Sequence, residues 1–156
     1  MYKILKKKWL TKEICYMDVE AKDLANGAKP GQFLIVKTDE KGERIPLTIC
    51  DYDREVGSVA IVFQVVGEGT KKMASYNEGE YFQDVVGPLG QPSEFLHIPL
   101  EELKIKKYLF VAGGVGTAPI YPQVKWFKEN GIEADVIVGA RSKDILILEE
   151  MNTWTK

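Results

Sequence analysis

A single histidine, His97, stands in the 156 residues. Metal sites that need two or three imidazoles are thereby excluded, and a Ser-His-Asp hydrolase would have to use this one residue. His97 lies in Phe95-Leu-His-Ile-Pro99, a strand-like or linker stretch that suits a structural or solvent-facing histidine. Cysteine is almost as scarce. Cys15 and Cys50 are too few for a disulfide scaffold and form no CxxC pair. Both fall in apolar strand-like runs, where a thiol packs as a small hydrophobe. No apolar run approaches the roughly 18 residues of a membrane span. The opening Met1-Tyr-Lys-Ile-Leu-Lys-Lys-Lys8 has no apolar core behind its charges, so no signal peptide is read and a cytoplasmic protein is expected. Charge of one sign is lacking too. The 21 Lys and Arg nearly balance 23 Asp and Glu along the chain, which argues against a nucleic-acid surface or a polybasic anchor. What remains is a globular composition, 45% hydrophobic and 28% charged, with room for one ordinary domain or two small ones.

The first hundred residues read as short strands between turns. Tyr2–Lys6 alternates, and Thr11–Val19 gives a second strand. Asn26-Gly27 and Lys29-Pro-Gly31 are turn signals. Gln32–Thr38 is a third strand whose apolar run suggests burial on both faces. Asp39–Glu43 is a polar hairpin turn. Arg44–Cys50 is a short strand whose proline favours an edge or a bulge. Ser58–Val66 is the strongest strand. Thr70–Tyr76 is a short helix, and Glu80–Gly90 a last strand and turn. Such spacing indicates a small antiparallel barrel or sandwich. Gln91–Lys106 reads as a polar, Pro-containing connection, with a domain boundary near residue 100.

From residue 107 strand and helix alternate. Tyr108–Ala112 is a strand, and Gly113, Gly114 and Gly116 follow. Pro119 suits a first helical position in a helix over Ala118–Asn130. Gly131 is a stop signal, Ala134–Gly139 a second apolar strand, and Ser142–Glu150 the start of another helix. This is a βαβ unit with a parallel sheet. Strand, glycine turn and helix start in that order form an anion-binding device, although an ordinary tight βα turn reads the same way. About five or six strands are usual in such a nucleotide domain. Two are present, so the chain reads as C-terminally truncated: a barrel over 1–100, then an incomplete parallel α/β domain over 101–156.

Arg44-Ile-Pro-Leu-Thr48, Gly67-Glu-Gly-Thr70 and Gly113-Gly-Val-Gly-Thr-Ala-Pro119, in this order and across nearly the whole chain, resemble the ferredoxin–NADP reductase superfamily. The resemblance is greatest to its small flavin subunits: the electron-transfer subunit of dihydroorotate dehydrogenase, sulfide dehydrogenase, and above all the alpha subunit of NADH-dependent ferredoxin:NADP oxidoreductase. It implies an FAD-binding barrel before a nicotinamide-binding domain. By position, Pro46, Leu47 and Thr48 would line the flavin, with Thr48 the catalytic contact near N5. Val62, Phe63 and Gln64 would meet the ribityl and adenine portion, although any barrel core would welcome Val62 and Phe63. Gly69 and Thr70 would hold the FAD pyrophosphate, with Lys71 or Lys72 adding charge. Gly113, Gly114, Val115, Gly116 and Pro119 would face the nicotinamide nucleotide. Gly139, Ala140 and Arg141 would lie near its adenosine ribose. Arg141 and Lys143 suit the 2′-phosphate of NADP, while the family subunit favours NAD.

Three positions before Thr48, where the family carries arginine, this chain has Ile45, and Arg44 stands one residue earlier. One residue of offset turns a strand side chain to the other face. Arg44 reaches the pyrophosphate if Pro46 imposes a bulge; otherwise backbone N–H groups and Lys71 or Lys72 must meet the charge. The family subunit also carries a [2Fe–2S] cluster. Two cysteines cannot supply four thiolates, so a cluster is expected in a longer parent and not in this chain. The implied function is flavin-dependent electron transfer between NAD(P)H and a one-electron carrier such as ferredoxin, as a subunit beside a larger catalytic one. Weak or absent NAD turnover is expected of the 156 residues alone. The alternatives are a non-catalytic interaction module that has lost its cofactor, and a regulatory flavoprotein.

Overall fold

The computed structural model describes residues 1–153. The expected second-domain range therefore runs past the described residues at 154–156. Seven strands form one antiparallel sheet: β1 (Tyr2–Trp9), β2 (Ile14–Glu20), β3 (Phe33–Lys37), β4 (Arg44–Asp53), β5 (Ser58–Gln64), β6 (Tyr81–Phe82) and β7 (Asp84–Leu89). Their order is β6-β1-β2-β5-β4-β3-β7. Its outermost members, β6 and β7, are separated in sequence by Gln83 alone. The sheet has rolled until its edges meet, giving a nearly closed barrel that leaves few exposed strand edges.

Burial follows the pleat. In β3 Leu34 and Val36 are buried while Phe33, Ile35 and Lys37 are half-buried. The expectation of two-faced burial for this strand is thus corrected. It belongs to β5, whose Val59, Ile61 and Phe63 enter the barrel core while Ala60 and Val62 lie beneath the second unit. Both faces are covered, so β5 carries a continuous apolar run in place of alternation. α1 (Lys22–Gly27) takes in Asn26-Gly27, read above as a turn, and buries Leu24 and Ala25. α2 (Glu68–Ser75) lays Met73 on the barrel core. The single strand expected over Glu80–Gly90 is two, β6 and β7.

The connecting segment is more structured than its polar composition suggests. It contains a 3-10 turn at Glu94–His97, with His97 exposed, and a short helix, α3 (Leu100–Lys104). Then come β8 (Leu109–Gly113), α4 (Thr117–Glu129) and β9 (Asp135–Gly139). β8 and β9 pair in parallel, from Leu109 opposite Asp135 to Gly113 opposite Gly139. The stop signal after α4 is realised as a Schellman cap. Gly131 has φ +68°, its N–H donates to the Lys128 carbonyl at 3.2 Å, and the Ile132 N–H donates to the Phe127 carbonyl at 2.9 Å. Ile132 and Phe127 then pack together in one apolar cluster.

The helix expected over Ser142–Glu150 is not formed. Two 3-10 turns, Lys143–Ile145 and Glu149–Thr153, flank an irregular stretch in which Leu148 has φ +55°. Ile145-Leu-Ile-Leu148 is apolar at every position, which is not a helical period. Ile147 and Leu148 pack instead onto the barrel's outer face with Ile14, Cys50, Ala60, Val62, Ala118, Val124 and Met151. That cluster joins the two units. Cys15 and Cys50 are both free and buried, as expected of small hydrophobes. Burial raises the pKa of both thiols, and at Cys50 the nearby carboxylates of Asp51 and Glu150 raise it further. The thiolate is the reactive form. Neither cysteine should therefore react with a disulfide reagent in native buffer, and both should react in urea. A native-state titration of one or more thiols would contradict this burial.

Candidate functional site

β4 changes partners midway. Arg44–Thr48 pair with β3, whereas Ile49–Asp53 pair with β5. Pro46 therefore sits where the strand has one ladder partner, and its missing N–H costs no ladder bond. The β4–β5 ladder begins at Ile61, so Val62–Gln64 keep their ladder with β2. Two clefts border the diverging stretch. One, about 370 Å³, is lined by Gly31, Phe33, Pro46, Leu47 and Thr48. The other, about 430 Å³, lies at the N-terminus of α2 and is lined by Thr38, Lys41, Gly42, Glu43, Ile45, Glu68, Gly69, Lys71 and Lys72.

Thr48 meets the first cleft, and its hydroxyl donates no hydrogen bond among the described residues. At the second, helix geometry leaves the amides of Glu68, Gly69 and Thr70 without intrahelical acceptors. The Thr70 hydroxyl is already engaged: it accepts from the Val66 and Gly67 amides, each at 3.0 Å. Lys71 pairs with Glu68 at 2.8 Å, and Lys72 pairs with Asp39. The hydrogen bond from Lys72 holds the Asp39 carboxyl below its ordinary range. Both lysines expected to add positive charge are thus partly neutralised.

Gly69 has a reason within the protein. A Cβ there would come within 2.6 Å of Glu43 Oε2 and 2.8 Å of Ile45 Cδ1. Gly67 has no such reason, since nothing lies within 4 Å of its Cβ position.

Arg44 is corrected. The β3–β4 register runs from Lys37–Arg44 to Phe33–Thr48 without a shift, so Pro46 imposes no bulge. The β4 bulge falls later, between Ile49 and Asp51. Arg44 consequently faces away from α2, 61% exposed, with its guanidinium 4.0 Å from Asp84. Ile45 occupies the α2 side. Val62 and Phe63 are also sealed, in the inter-unit cluster and the barrel core respectively. Gln64 is half-buried, its amide 3.3 Å from Glu13.

The second unit gathers its expected residues at one end. Gly113 and Gly139 are register partners at the carboxyl ends of the parallel strands. Gly114–Gly116 form a 3-10 turn leading directly into α4. Gly114 has φ +57°, which only glycine adopts readily. Gly116 has an ordinary φ of −62° and open space at its Cβ position, so nothing in this chain requires a glycine there. Pro119 is the third helical residue and not the first. Val115 packs against the inter-unit cluster, while Ala140, Arg141 and Lys143 are exposed beyond the end of β9.

No family model matches the sequence. The chain is 65% identical over 150 residues to an uncharacterized protein of Clostridium beijerinckii, covering 96% of this chain and 51% of that one. It is 40% identical over 148 residues to a dihydroorotate dehydrogenase B (NAD(+)) electron transfer subunit homolog of Thermotoga maritima, covering 93% and 49%. Among solved structures, an NADH-dependent reduced ferredoxin–NADP oxidoreductase superposes with a TM-score of 0.89 at 35% identity, over 99% of this chain and 54% of that one. The chain has the ferredoxin–NADP reductase-like fold and is similar in sequence to electron-transfer subunits. Its length is about half that of the curated relatives it matches. Within this superfamily fold, Amycolatopsis cytochrome P450 reductase GcoB shares the architecture at 16% identity and a TM-score of 0.76. No helix among the described residues is long and apolar enough to cross a membrane.

Residue reading missed several participants. Gly31 was visible only as a turn signal and Phe33 only as part of a strand, yet both line the Thr48 cleft. Glu43, in what reads as a polar hairpin turn, reaches α2 from the neighbouring loop. Asp51 and Lys125, hydrogen-bonded at 2.7 Å across 74 positions, carried no local signal.

Proposed function

We propose that this chain is the flavin- and nicotinamide-facing part of an electron-transfer subunit. It would pass electrons from NAD(P)H to a one-electron carrier such as ferredoxin, beside a larger catalytic subunit. The observation that carries this reading is the open glycine surface at both helix starts. Gly67 before α2 and Gly116 before α4 have clear space where a side chain would begin, and no protein atom explains either glycine. Gly67 opens onto helix amides suited to a phosphate. At α4 the Thr117 amide donates to the Gly114 carbonyl and Pro119 has no N–H, so the room at Gly116 serves close approach to the backbone.

The residues present fit FAD, with backbone taking the place of side-chain cations. The Glu68, Gly69 and Thr70 amides would meet the diphosphate. Pro46 and Thr48 would border the ring system, with the Thr48 hydroxyl free to donate toward N5. A bound flavin would supply the redox chemistry, accepting hydride and releasing single electrons. No side-chain acid or base is needed for that transfer, in keeping with a chain whose one histidine is exposed. Gly113–Pro119 and Gly139–Arg141 would hold the nicotinamide nucleotide. The exposed Arg141 and Lys143 leave both NAD and NADP open, and NAD is favoured by the name of the Thermotoga relative.

Titration of the purified protein with FAD tests the reading. Quenching of flavin fluorescence at one equivalent, and bleaching of the bound flavin by NADH or NADPH, are expected. Protein that leaves FAD fluorescence unchanged is instead the non-catalytic module. The pairing of Lys71 and Lys72 with carboxylates and the outward Arg44 would then be its signature.

A further inference from the structure

The bulge in β4 has a consequence for how the two units are held. Strand alternation would put Asp51 on the same face as Ile49, inside the barrel. The register shift between Ile49 and Asp51 turns it outward instead. There its carboxylate accepts a hydrogen bond from Lys125 Nζ at 2.7 Å. The pair is largely shielded, with side chains 32% and 25% exposed. Burial alone would lower the Lys125 pKa, but the hydrogen bond and charge of Asp51 outweigh it and hold the ammonium above its ordinary value. Around the pair, Tyr52, Pro122, Trp126 and Glu129 line a groove of about 240 Å³ between strand and helix.

The two partners stand on elements that each carry one half of the proposed site. Asp51 is three residues beyond Thr48 on β4, about 10 Å along the strand. Lys125 is eight residues beyond Thr117, about 12 Å down the helix that opens directly after the glycine turn. Between them Pro122 removes one backbone bond from α4. The first turn is therefore less firmly tied to the rest of the helix. Ala118 and Val124 lay α4 on the apolar cluster of the barrel's outer face, and the Asp51–Lys125 pair adds a directional polar contact beyond Pro122.

We propose that the Asp51–Lys125 bridge is a positioning contact, fixing the glycine-turn helix against the strand that carries Thr48 and so setting the approach of the nicotinamide to the flavin. The second half of this statement rests on the function proposed above. The first half does not.

Two measurements on the intact protein test it. Hydrogen exchange without cofactor reads the position of α4 directly. Lys125→Met and Asp51→Asn should each speed exchange severalfold at the amides of Thr117, Ala118, Ile120 and Tyr121, and Lys125→Arg should restore protection. Native rates in both variants would overturn the proposal whether or not flavin binds. With FAD bound, anaerobic stopped-flow should show flavin reduction by NADH or NADPH slowed about tenfold in both variants, since small misplacements of reactants carry such costs. FAD content and reduction by dithionite, which needs no docking geometry, should be unchanged. The double variant should be no slower than either single one. Reduction at the native rate with a lowered melting temperature would make the bridge a stabilising contact only, and would overturn the proposal. A native chain that takes up no FAD, or whose flavin neither nucleotide reduces, fails the proposed function and with it the second half, while the exchange result still decides the first.

Discussion

Phe127→Ala should cost about 3–5 kcal/mol, the range for deleting a fully buried aromatic ring. Phe127 is 2% exposed and is the hub of the second unit's core. Phe95, Tyr108 and Phe110 meet it edge-on, with ring centroids at 4.9, 4.8 and 5.1 Å, and Trp126 lies at 5.9 Å. Each edge-to-face pair adds about 0.5–1.5 kcal/mol beyond area burial. These rings come from the connecting segment, from β8 and the residue just before it, and from α4. Truncation therefore unfastens the linker and the parallel pair together, and loosens the Schellman cap through Ile132. The barrel core does not contain Phe127. Near-UV ellipticity should fall and urea should unfold the variant at lower concentration, while a Phe127→Leu control loses less. If FAD binds to the barrel alone, its uptake should survive wherever the barrel remains folded. A urea midpoint within error of the native one would sink the assignment of Phe127 as the hub.

Much of this architecture was legible because strand physics is local. Alternation, turn residues and the run at Ser58–Val66 placed five barrel strands within a few positions, and Gly131 announced the end of α4. The helix start after the three glycines was readable because glycine has few other reasons to cluster there. The failures have physical causes. α1 and α3 are short, with Leu24 and Leu103 as their main buried residues, so no apolar period betrays them. Ser142–Glu150 reads as the start of a helix because the apolar run at Ile145–Leu148 does not say which surface it will cover. Within the site, position along the chain was legible but orientation was not. The offset of Arg44 from Thr48 is legible in the sequence, yet only the β3–β4 register shows it beside Asp84. The bulge that decides where Asp51 points depends on β4 changing partners, which is a property of the closed barrel and not of any short stretch of sequence.

Gly31→Ala should destabilise the chain by about 3 kcal/mol, because two costs fall on one residue. Its φ is +93°, where a side chain is strained by about 1–2 kcal/mol. The added Cβ would also lie 2.5 Å from Ser93 Oγ and 2.9 Å from the Ser93 backbone nitrogen. The hydroxyl can rotate away. The nitrogen cannot, because its N–H donates to the Pro30 carbonyl at 2.9 Å. Nearby, Gln32 Nε2 donates to the Gly90 carbonyl at 3.0 Å, so the incoming strand and the outgoing linker are stitched on both sides of the clash. A chain of about this length loses roughly 2–4 °C per kcal/mol, so the melting temperature should fall by about 6–12 °C. The matched control is Gly67→Ala, at φ −144° with nothing within 4 Å of its Cβ position; it bears only the cost of a poorer N-cap and should melt no more than about 2–4 °C below the native protein. The two variants also separate stability from binding. Gly31 lines the Thr48 cleft, so its variant should lose flavin affinity together with stability. Gly67 borders the α2 amides, so its variant should lose affinity with little loss of stability. Equal melting temperatures for Gly31→Ala and the native chain would refute the strain argument. A Gly67→Ala variant that binds FAD like the native chain would mean that the open surface before α2 is not where the phosphates lie.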